Sequence, residues 1–461
     1  MKKGDRFLLD ITDINNLGCG VGRYEGIVVF VKGAVTGDRI ETEIIKVTKN
    51  YLVGRLIQVI SPSPFRSETT FCDAPMSCGG CVYRNIGYDY ELKIKEGYVR
   101  GAFDKAGLSD VTVLPTLSAG NVSHYRNKGQ YPVRSVKGKM RAGFFASKTH
   151  NLIPFSDCEI QNKAFGKIVD ATCLYATENG IEAYDEEKGA GLLRHIYLRI
   201  GEKTGQIMLC LVINGNTLPK SEKFVEYIRN IEPNIVSVVL NVNKNNTNVI
   251  LGDRFVTLFG KDYIEDELCG LKFKISADSF YQVNRDGAEL LYTIAESEAG
   301  LTGSELLLDL YCGTGTIGLS MSDKAERLIG IEIVESAVIC AHENAAANDI
   351  TNAEFYCADA GDAKTILDIT GGRCPDVVVI DPPRKGSTKE LVKCLSKLEV
   401  PKVVYVSCDP DTLARDCVWF RENGYSIGDV HTVDMFPRTG HVESVVCLTR
   451  RLDNELRERM N

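Results

Sequence analysis

The chain has 461 residues, more than one hydrophobic core usually serves, so two or three domains are expected; 44% hydrophobic and 25% charged residues are the proportions of an ordinary soluble protein. No run of about 18 apolar residues occurs, and the opening MKKGDRFLLDITD lacks the features of a signal peptide, which predicts a cytoplasmic protein with no membrane partner. A net charge of -8 argues mildly against nucleic acid, and sixteen cysteines in a reducing compartment argue against a disulfide framework.

Residues 1 to about 60 read as short alternating strands broken by glycine, which predicts a small five-stranded barrel of the OB kind. Pro62 and Pro64 in SPSPF mark a linker. A central region, 61–270, mixes alternating strands such as RHIYLRIG and IVSVVLNV with helical segments and is expected to be α+β. It opens on FCDAPMSCGGCVYR, where Cys72, Cys78 and Cys81 stand as C-x5-C-x2-C, and Cys158 follows in PFSDCEI. Four thiolates could hold zinc or an iron–sulfur cluster, and the spacing alone does not separate them. Between Asp110 and Asp157 there is no acid, while Arg126, Lys128, Arg134, Lys137, Lys139, Arg141 and Lys148 interleave with Tyr125, Tyr131, Phe144 and Phe145. Such a stretch could grip RNA and stack unpaired bases, or be only a solvated sheet face.

From about 271 to 461 the pattern changes. A helix capped by Asn284 precedes apolar strands alternating with helices: ELLLDLY, RLIGIEI, AEFYCAD, DVVVIDPP and KVVYVSC. Continuous Val/Ile/Leu strands between helices predict a parallel, doubly wound sheet. In LLLDLYCGTGTIGL, Gly313 and Gly315 let backbone approach a ligand and Gly318 permits close helix packing. Glu332 ends the next strand, where a carboxylate can accept both ribose hydroxyls, and Asp359 and Asp381 end the following two. Asp309, just ahead of the glycines, would repel a pyrophosphate but could attract a sulfonium. This favours S-adenosylmethionine over a nicotinamide cofactor.

Cys408 ends the fifth parallel strand, at the same sheet edge. A thiol beside a methyl donor suits methylation of uracil C5: thiolate addition at C6 creates carbanion character at C5, and a base must then remove the C5 proton. Glu443, at the start of ESVVCLTRR, reaches that edge if its strand returns antiparallel beside that of Cys408. The blander alternatives are a small buried cysteine and an ordinary strand residue.

SCDPDTLARD, FPRTGHVE, SFYQVN, DLYCGTGTIGL and DPPRKG together resemble the RNA uracil-5-methyltransferase family, over nearly the whole chain. The resemblance implies Gln282, Tyr311, Glu332 and Asp381 as S-adenosylmethionine contacts, Cys408 as nucleophile and Glu443 as base. The first barrel is similar to a TRAM domain. The cysteine segment resembles the [4Fe-4S] segment of the ribosomal-RNA branch, which implies a structural cluster and a 23S ribosomal RNA substrate. Transfer RNA and a non-catalytic RNA-binding assembly role are the alternatives. DPPR in place of a second PC cysteine argues against cytosine-5 methylation.

Overall fold

The computed structural model describes residues 1–67, 72–359, 361 and 363–451. Residues 68–71 of the central region and 452–461 of the expected catalytic region therefore lie outside the described residues.

Strands β1 (Arg6–Ile14), β2 (Cys19–Tyr24), β3 (Ile27–Lys32), β4 (Arg39–Val47) and β5 (Tyr51–Ser61) close into a barrel in the order β1-β2-β3-β5-β4. Alternation explains it: Leu9, Ile11, Val29, Val31, Ile40, Ile44 and Leu52 point inward and are almost fully buried. The SPSPF segment is not a free linker. The Asp38 carboxylate accepts from the Ser63 amide at 2.9 Å and pairs with Arg66 at 2.6 Å, tying the segment back onto the barrel.

Helix α1 (Tyr88–Lys105) and the two-residue strand β6 (Leu117–Ser118) follow, then β7 (Lys128–Val136), β8 (Lys139–Phe145), β9 (Leu152–Pro154), α2 (Lys163–Glu178), β10 (Leu193–Ile200), β11 (Ile207–Ile213), α3 (Ser221–Ile231), β12 (Ile235–Val242) and β13 (Arg254–Gly260). Seven of these strands form a sheet in the order β13-β12-β11-β10-β7-β8-β9. Helices α2 and α3 cover one face, with Phe165, Ile168 and Phe224 in the shared core. The other face meets the hairpin β14 (Tyr263–Leu268)–β15 (Leu271–Ser276) through Tyr197, Met208 and Val239. Burial on both faces is why β10 and β11 are buried at every position.

The third unit comprises α4 (Arg285–Ala299), β16 (Leu306–Leu310), α5 (Thr316–Ser320), β17 (Arg327–Glu332), α6 (Glu335–Ala347), β18 (Ala353–Cys357), α7 (Ala363–Thr370), β19 (Val377–Ile380), α8 (Lys389–Lys397), β20 (Lys402–Ser407), α9 (Pro410–Glu422), β21 (Tyr425–Asp434) and β22 (Glu443–Arg450). Its eight-stranded sheet runs β18-β17-β16-β19-β20-β22-β21-β6; β16 to β20 are mutually parallel, and β22 is antiparallel to both β20 and β21. Asn284 caps α4 by accepting from the Gly287 amide.

The expected boundaries need adjustment. Residue 270 falls in the β14–β15 turn, so a border there would split a hairpin. Helix α1 and β6, expected in the central region, belong to the catalytic unit: β6 pairs with β21, and Val99 and Phe103 of α1 join the core containing Leu306, Val403 and Leu413. No described helix is long and apolar enough to cross a membrane.

Candidate active site

The carboxyl ends of the parallel strands open into a cavity of about 1240 Å³. Gln282, Tyr311, Gly313, Glu332, Asp359, Asp381, Cys408 and Glu443 all line it, although 161 sequence positions separate the first from the last. The glycine turn is built by backbone geometry. Tyr311, Gly313 and Gly315 have φ of 63°, 54° and 81°, the left-handed region in which glycine is unstrained. The Glu332 carboxylate accepts from the amides of Gly313 (3.2 Å), Ile333 (2.8 Å) and Val334 (3.0 Å), which fixes its orientation at the strand end.

Asp309 does not reach the ligand space. It is buried beneath the turn and accepts from the Gly318 amide at 2.9 Å; a Cβ on Gly318 would lie 2.7 Å from its Oδ2. Burial pushes its carboxyl up to about 7. Its role is to hold the turn, and the expected attraction to a sulfonium is not supplied by this residue.

Cys408 sits between the last residue of β20 and the N-cap of α9. Asp409 caps that helix by accepting from the Thr412 amide at 3.0 Å, and Pro410 occupies its first turn. The thiol is therefore clamped between two rigid elements. Register brings its partner: Ser407 pairs with Ser444 across β20 and β22, so the next position in the same register sets Cys408 opposite Glu443. Residues opposed in this way share a face, with Cβ atoms about 4.5–5.5 Å apart.

The pair is a buried acid beside a half-buried thiol. Glu443 is 5% exposed; burial, then the neighbouring Asp381 charge, push its carboxyl up to about 8, against the opposing pull of Arg384. Burial likewise pushes Asp381 up to about 7. Burial and the charges of Glu443 and Asp381 push the Cys408 thiol up to about 11, again opposed by Arg384.

The other four cysteines meet elsewhere. Cys72, Cys78, Cys81 and Cys158 line one cavity of about 250 Å³. Burial, then the charges of Cys158, Cys72 and Cys78, push the Cys81 thiol up to about 12, so the sulfurs lie within electrostatic reach of one another. No group of three cysteine, histidine or carboxylate side chains among the described residues converges as a metal ion requires. Cations share the lining: Arg84, Arg126 and Lys128. One buried guanidinium nitrogen of Arg84 has no partner among the described residues. Gly80, Arg126, Lys128 and Gln130 line both cavities and form the wall between them.

The acid-free stretch divides in two. Arg126 and Lys128 face the larger cavity, and burial with the charges of Arg199 and Arg126 pulls the Lys128 amine down to about 8. Lys137, Lys139, Arg141 and Lys148 are exposed on or beside the β7–β8 hairpin. The expected stacking rings are mostly unavailable. Tyr125 and Tyr131 are buried, Phe144 packs on the central core, and Phe145 stacks on His150. The ring that does stand open is Phe280, 59% exposed at the cavity. It lies within SFYQVN, but a lone phenylalanine beside a tyrosine carries no sequence signal for exposure. Asn16 and Leu17, from the β1–β2 loop of the barrel, also line the cavity, a contact only the fold creates. There Gly440 approaches the Asn16 carbonyl so closely that no side chain fits.

A family model described as tRNA (Uracil-5-)-methyltransferase matches residues 222–451, and a TRAM domain model matches residues 1–57. A protein of Halalkalibacterium halodurans described as an uncharacterized RNA methyltransferase is 40% identical over 449 residues, 97% of this chain and 98% of its own. The chain belongs to the RNA uracil-5-methyltransferase family. A relative in Clostridium tetani with the same description is 40% identical over 451 residues, 97% of each chain. The crystal structure of Pyrococcus abyssi tRNA (uracil-54, C5)-methyltransferase in complex with S-adenosyl-L-homocysteine matches with a TM-score of 0.78 and 26% identity, over 96% of this chain and 100% of that one. The family member described here is thus an S-adenosylmethionine-dependent RNA methyltransferase with an N-terminal TRAM barrel.

Proposed function

We propose that this enzyme forms 5-methyluridine in 23S ribosomal RNA, with Cys408 as nucleophile and Glu443 as general base. The observation that carries the reading is the pairing of Ser407 with Ser444, which brings the adjoining Cys408 and Glu443 together in the cavity that also contains the glycine turn and Gln282. The target uridine is flipped into that cavity, beside the exposed Phe280 ring. Cys408 adds to C6, the electron pair displaced onto C5 takes the methyl group, and the sulfonium leaves as a neutral thioether. Glu443 then accepts the C5 proton; the C5–H electrons restore the C5=C6 bond and the Cys408 thiolate departs. Gln282, Tyr311, Gly313, Glu332, Asp359 and Asp381 contact the methyl donor in this reading. The raised carboxyl makes Glu443 a stronger proton acceptor than an ordinary carboxylate, which suits removal of the C5 proton.

Cys72, Cys78, Cys81 and Cys158 hold a structural [4Fe-4S] cluster in the same reading. Four thiolates suit either zinc or a cluster, and the choice of a cluster rests on the resemblance of the cysteine segment. The cationic lining of Arg84, Arg126 and Lys128 suits an anionic metal–thiolate centre. The cluster would supply no step of the methylation, only a fixed loop. The cysteine segment favours ribosomal RNA, whereas the matching Pyrococcus abyssi structure is of an enzyme on tRNA, the second reading. Nucleoside mass spectrometry of separated 23S and transfer RNA from a strain lacking the gene decides between them. Loss of 5-methyluridine from 23S RNA alone is expected. Loss from tRNA alone would refute the ribosomal assignment.

A further inference from the structure

The loop joining β21 to β22 carries Glu443 at its end, and it has no regular structure of its own. Each of four successive carbonyls in it is nevertheless held from a different part of the chain. The Met435 carbonyl accepts from Asn284 Nδ2 (2.9 Å), and that of Phe436 accepts from Lys95 Nζ (3.1 Å). The Pro437 carbonyl accepts from the Tyr125 hydroxyl (2.9 Å), and that of Arg438 from the amides of Val82 (2.9 Å) and Tyr83 (3.1 Å). Arg438 has φ of 70°, a conformation a non-glycine side chain rarely adopts and that persists only when its surroundings impose it. Its amide donates to Glu91 Oε1 at 2.6 Å.

A buried ionic cluster holds the same loop. Lys95 lies 2.9 Å from Glu91 and 2.6 Å from Asp434, and all three side chains are at most 1% exposed. Tyr88 donates to the other Asp434 oxygen at 3.0 Å, and Arg438 Nη1 approaches Glu91 at 3.4 Å. Two carboxylates thus face two cations. Burying them carries a desolvation cost that apolar residues of similar volume would avoid, so stability alone does not account for the cluster. Asp434 is the last residue of β21, whose neighbour Val433 pairs with Glu443. Lys95 therefore grips both the strand end beside the base and the loop that leads to it. Among the described residues, none of these partners lies on β20 or α9, the elements that hold Cys408.

We propose that Lys95 is a positioning residue for Glu443, acting on proton removal from C5 and not on formation of the carbon–sulfur bond. The proposal rests on the assignment of Glu443 as base. It makes one helix of the chain, expected from sequence to belong to the central region, a support of the catalytic loop.

The test compares Lys95→Met, Glu443→Gln and the double variant of the full-length protein on an RNA substrate with labelled S-adenosylmethionine. Turnover, KM and the fraction of protein in methylated covalent adduct are read. Lys95→Met should slow turnover about 10- to 100-fold while adduct accumulates, because a misplaced base delays elimination. KM for both substrates should stay within about two-fold, and the double variant should be no slower than Glu443→Gln alone. Parallel loss of adduct and turnover in Lys95→Met, or a double variant slowed by the product of the single effects, would overturn the role of Lys95. Absence of adduct in Glu443→Gln would instead overturn the base assignment beneath it. If Lys95→Met does not fold, the isosteric Asp434→Asn carries the same expectations, and unchanged adduct there counts against the proposal.

Discussion

Two cysteine sites lie on either side of one thin wall, and the same kind of side chain is used in opposite ways. Cys408 has both carboxylates and a guanidinium about it, Glu443 and Asp381 raising its thiol and Arg384 opposing them; the four-cysteine cavity has no acid among its described lining, which includes Arg84, Arg126 and Lys128. In the first, burial and two carboxylates outweigh Arg384 and keep the thiol protonated, a balance that the positive charge of a sulfonium would shift. The second has cations and no carboxylate in its described lining. Reactivity is thus assigned by neighbours, since burial pushes both Cys408 and Cys158 up to about 11.

The largest separation of the two sites is by deletion. Cys408→Ala should abolish turnover, by at least about 1000-fold, with little change in Tm. Cys81→Ala should lower Tm and the iron content while iodoacetamide still labels Cys408; unaltered Tm and iron would end the structural reading of the four-cysteine site.

Charge offers the next contrast. S-adenosylmethionine carries a positive sulfonium and S-adenosylhomocysteine does not, and a unit charge about 5 Å away is worth a few kcal/mol at an effective dielectric near 20. Because a more acidic thiol is also a weaker nucleophile, part of that gain is lost, and alkylation of Cys408 at pH 8 should be on the order of tenfold faster with the methyl donor bound than with its demethylated product. Equal rates would show that the carboxylates around Cys408 are not answered by the donor.

A smaller effect concerns stability. The folded Glu443 carboxyl lies at about 8 against an ordinary 4.5, so its contribution is fully present below 4.5 and is lost as pH rises through 8. Glu443→Gln, which removes that charge, should gain roughly 2–5 kcal/mol relative to the wild type between pH 5 and pH 9. A Tm difference that does not widen with pH would contradict the burial of this carboxylate. The smallest effect belongs to the exposed cations. Replacing Lys137, Lys139, Arg141 and Lys148 by alanine should raise KM for RNA a few-fold and flatten its salt dependence, leaving kcat alone.

Much of this was legible because the catalytic unit writes its function at strand ends. Continuous apolar runs placed β16 to β20, and the residue after each run is a cavity residue: Tyr311, Asp381 and Cys408. Glu443 was legible through a simple return of the chain, which the β20–β22 register reproduces. What escaped depends on long-range packing. The two-residue strand β6 has no periodicity to read, so nothing in the sequence around it ties α1 to the catalytic unit. Tyr125 and Tyr131 look like stacking rings until the fold buries them, one against the Pro437 carbonyl and the other in the central core. Asp309 occupies a binding-motif position yet faces the Gly318 amide. The Lys95 cluster joins residues more than 300 positions apart and reads, in sequence, as one more helical Glu–Lys pair.

The central claim is that Cys408 and Glu443 act across one pyrimidine C5–C6 bond. RNA bearing 5-fluorouridine tests it most directly, because the fluorine at C5 cannot leave as a proton does and the adduct cannot collapse. Incubation with S-adenosylmethionine followed by peptide mass spectrometry should recover a methylated fluorouridine bonded to the peptide containing Cys408. Attachment at any other residue, or methylation of ordinary uridine by the same preparation with no trapped adduct, would contradict it.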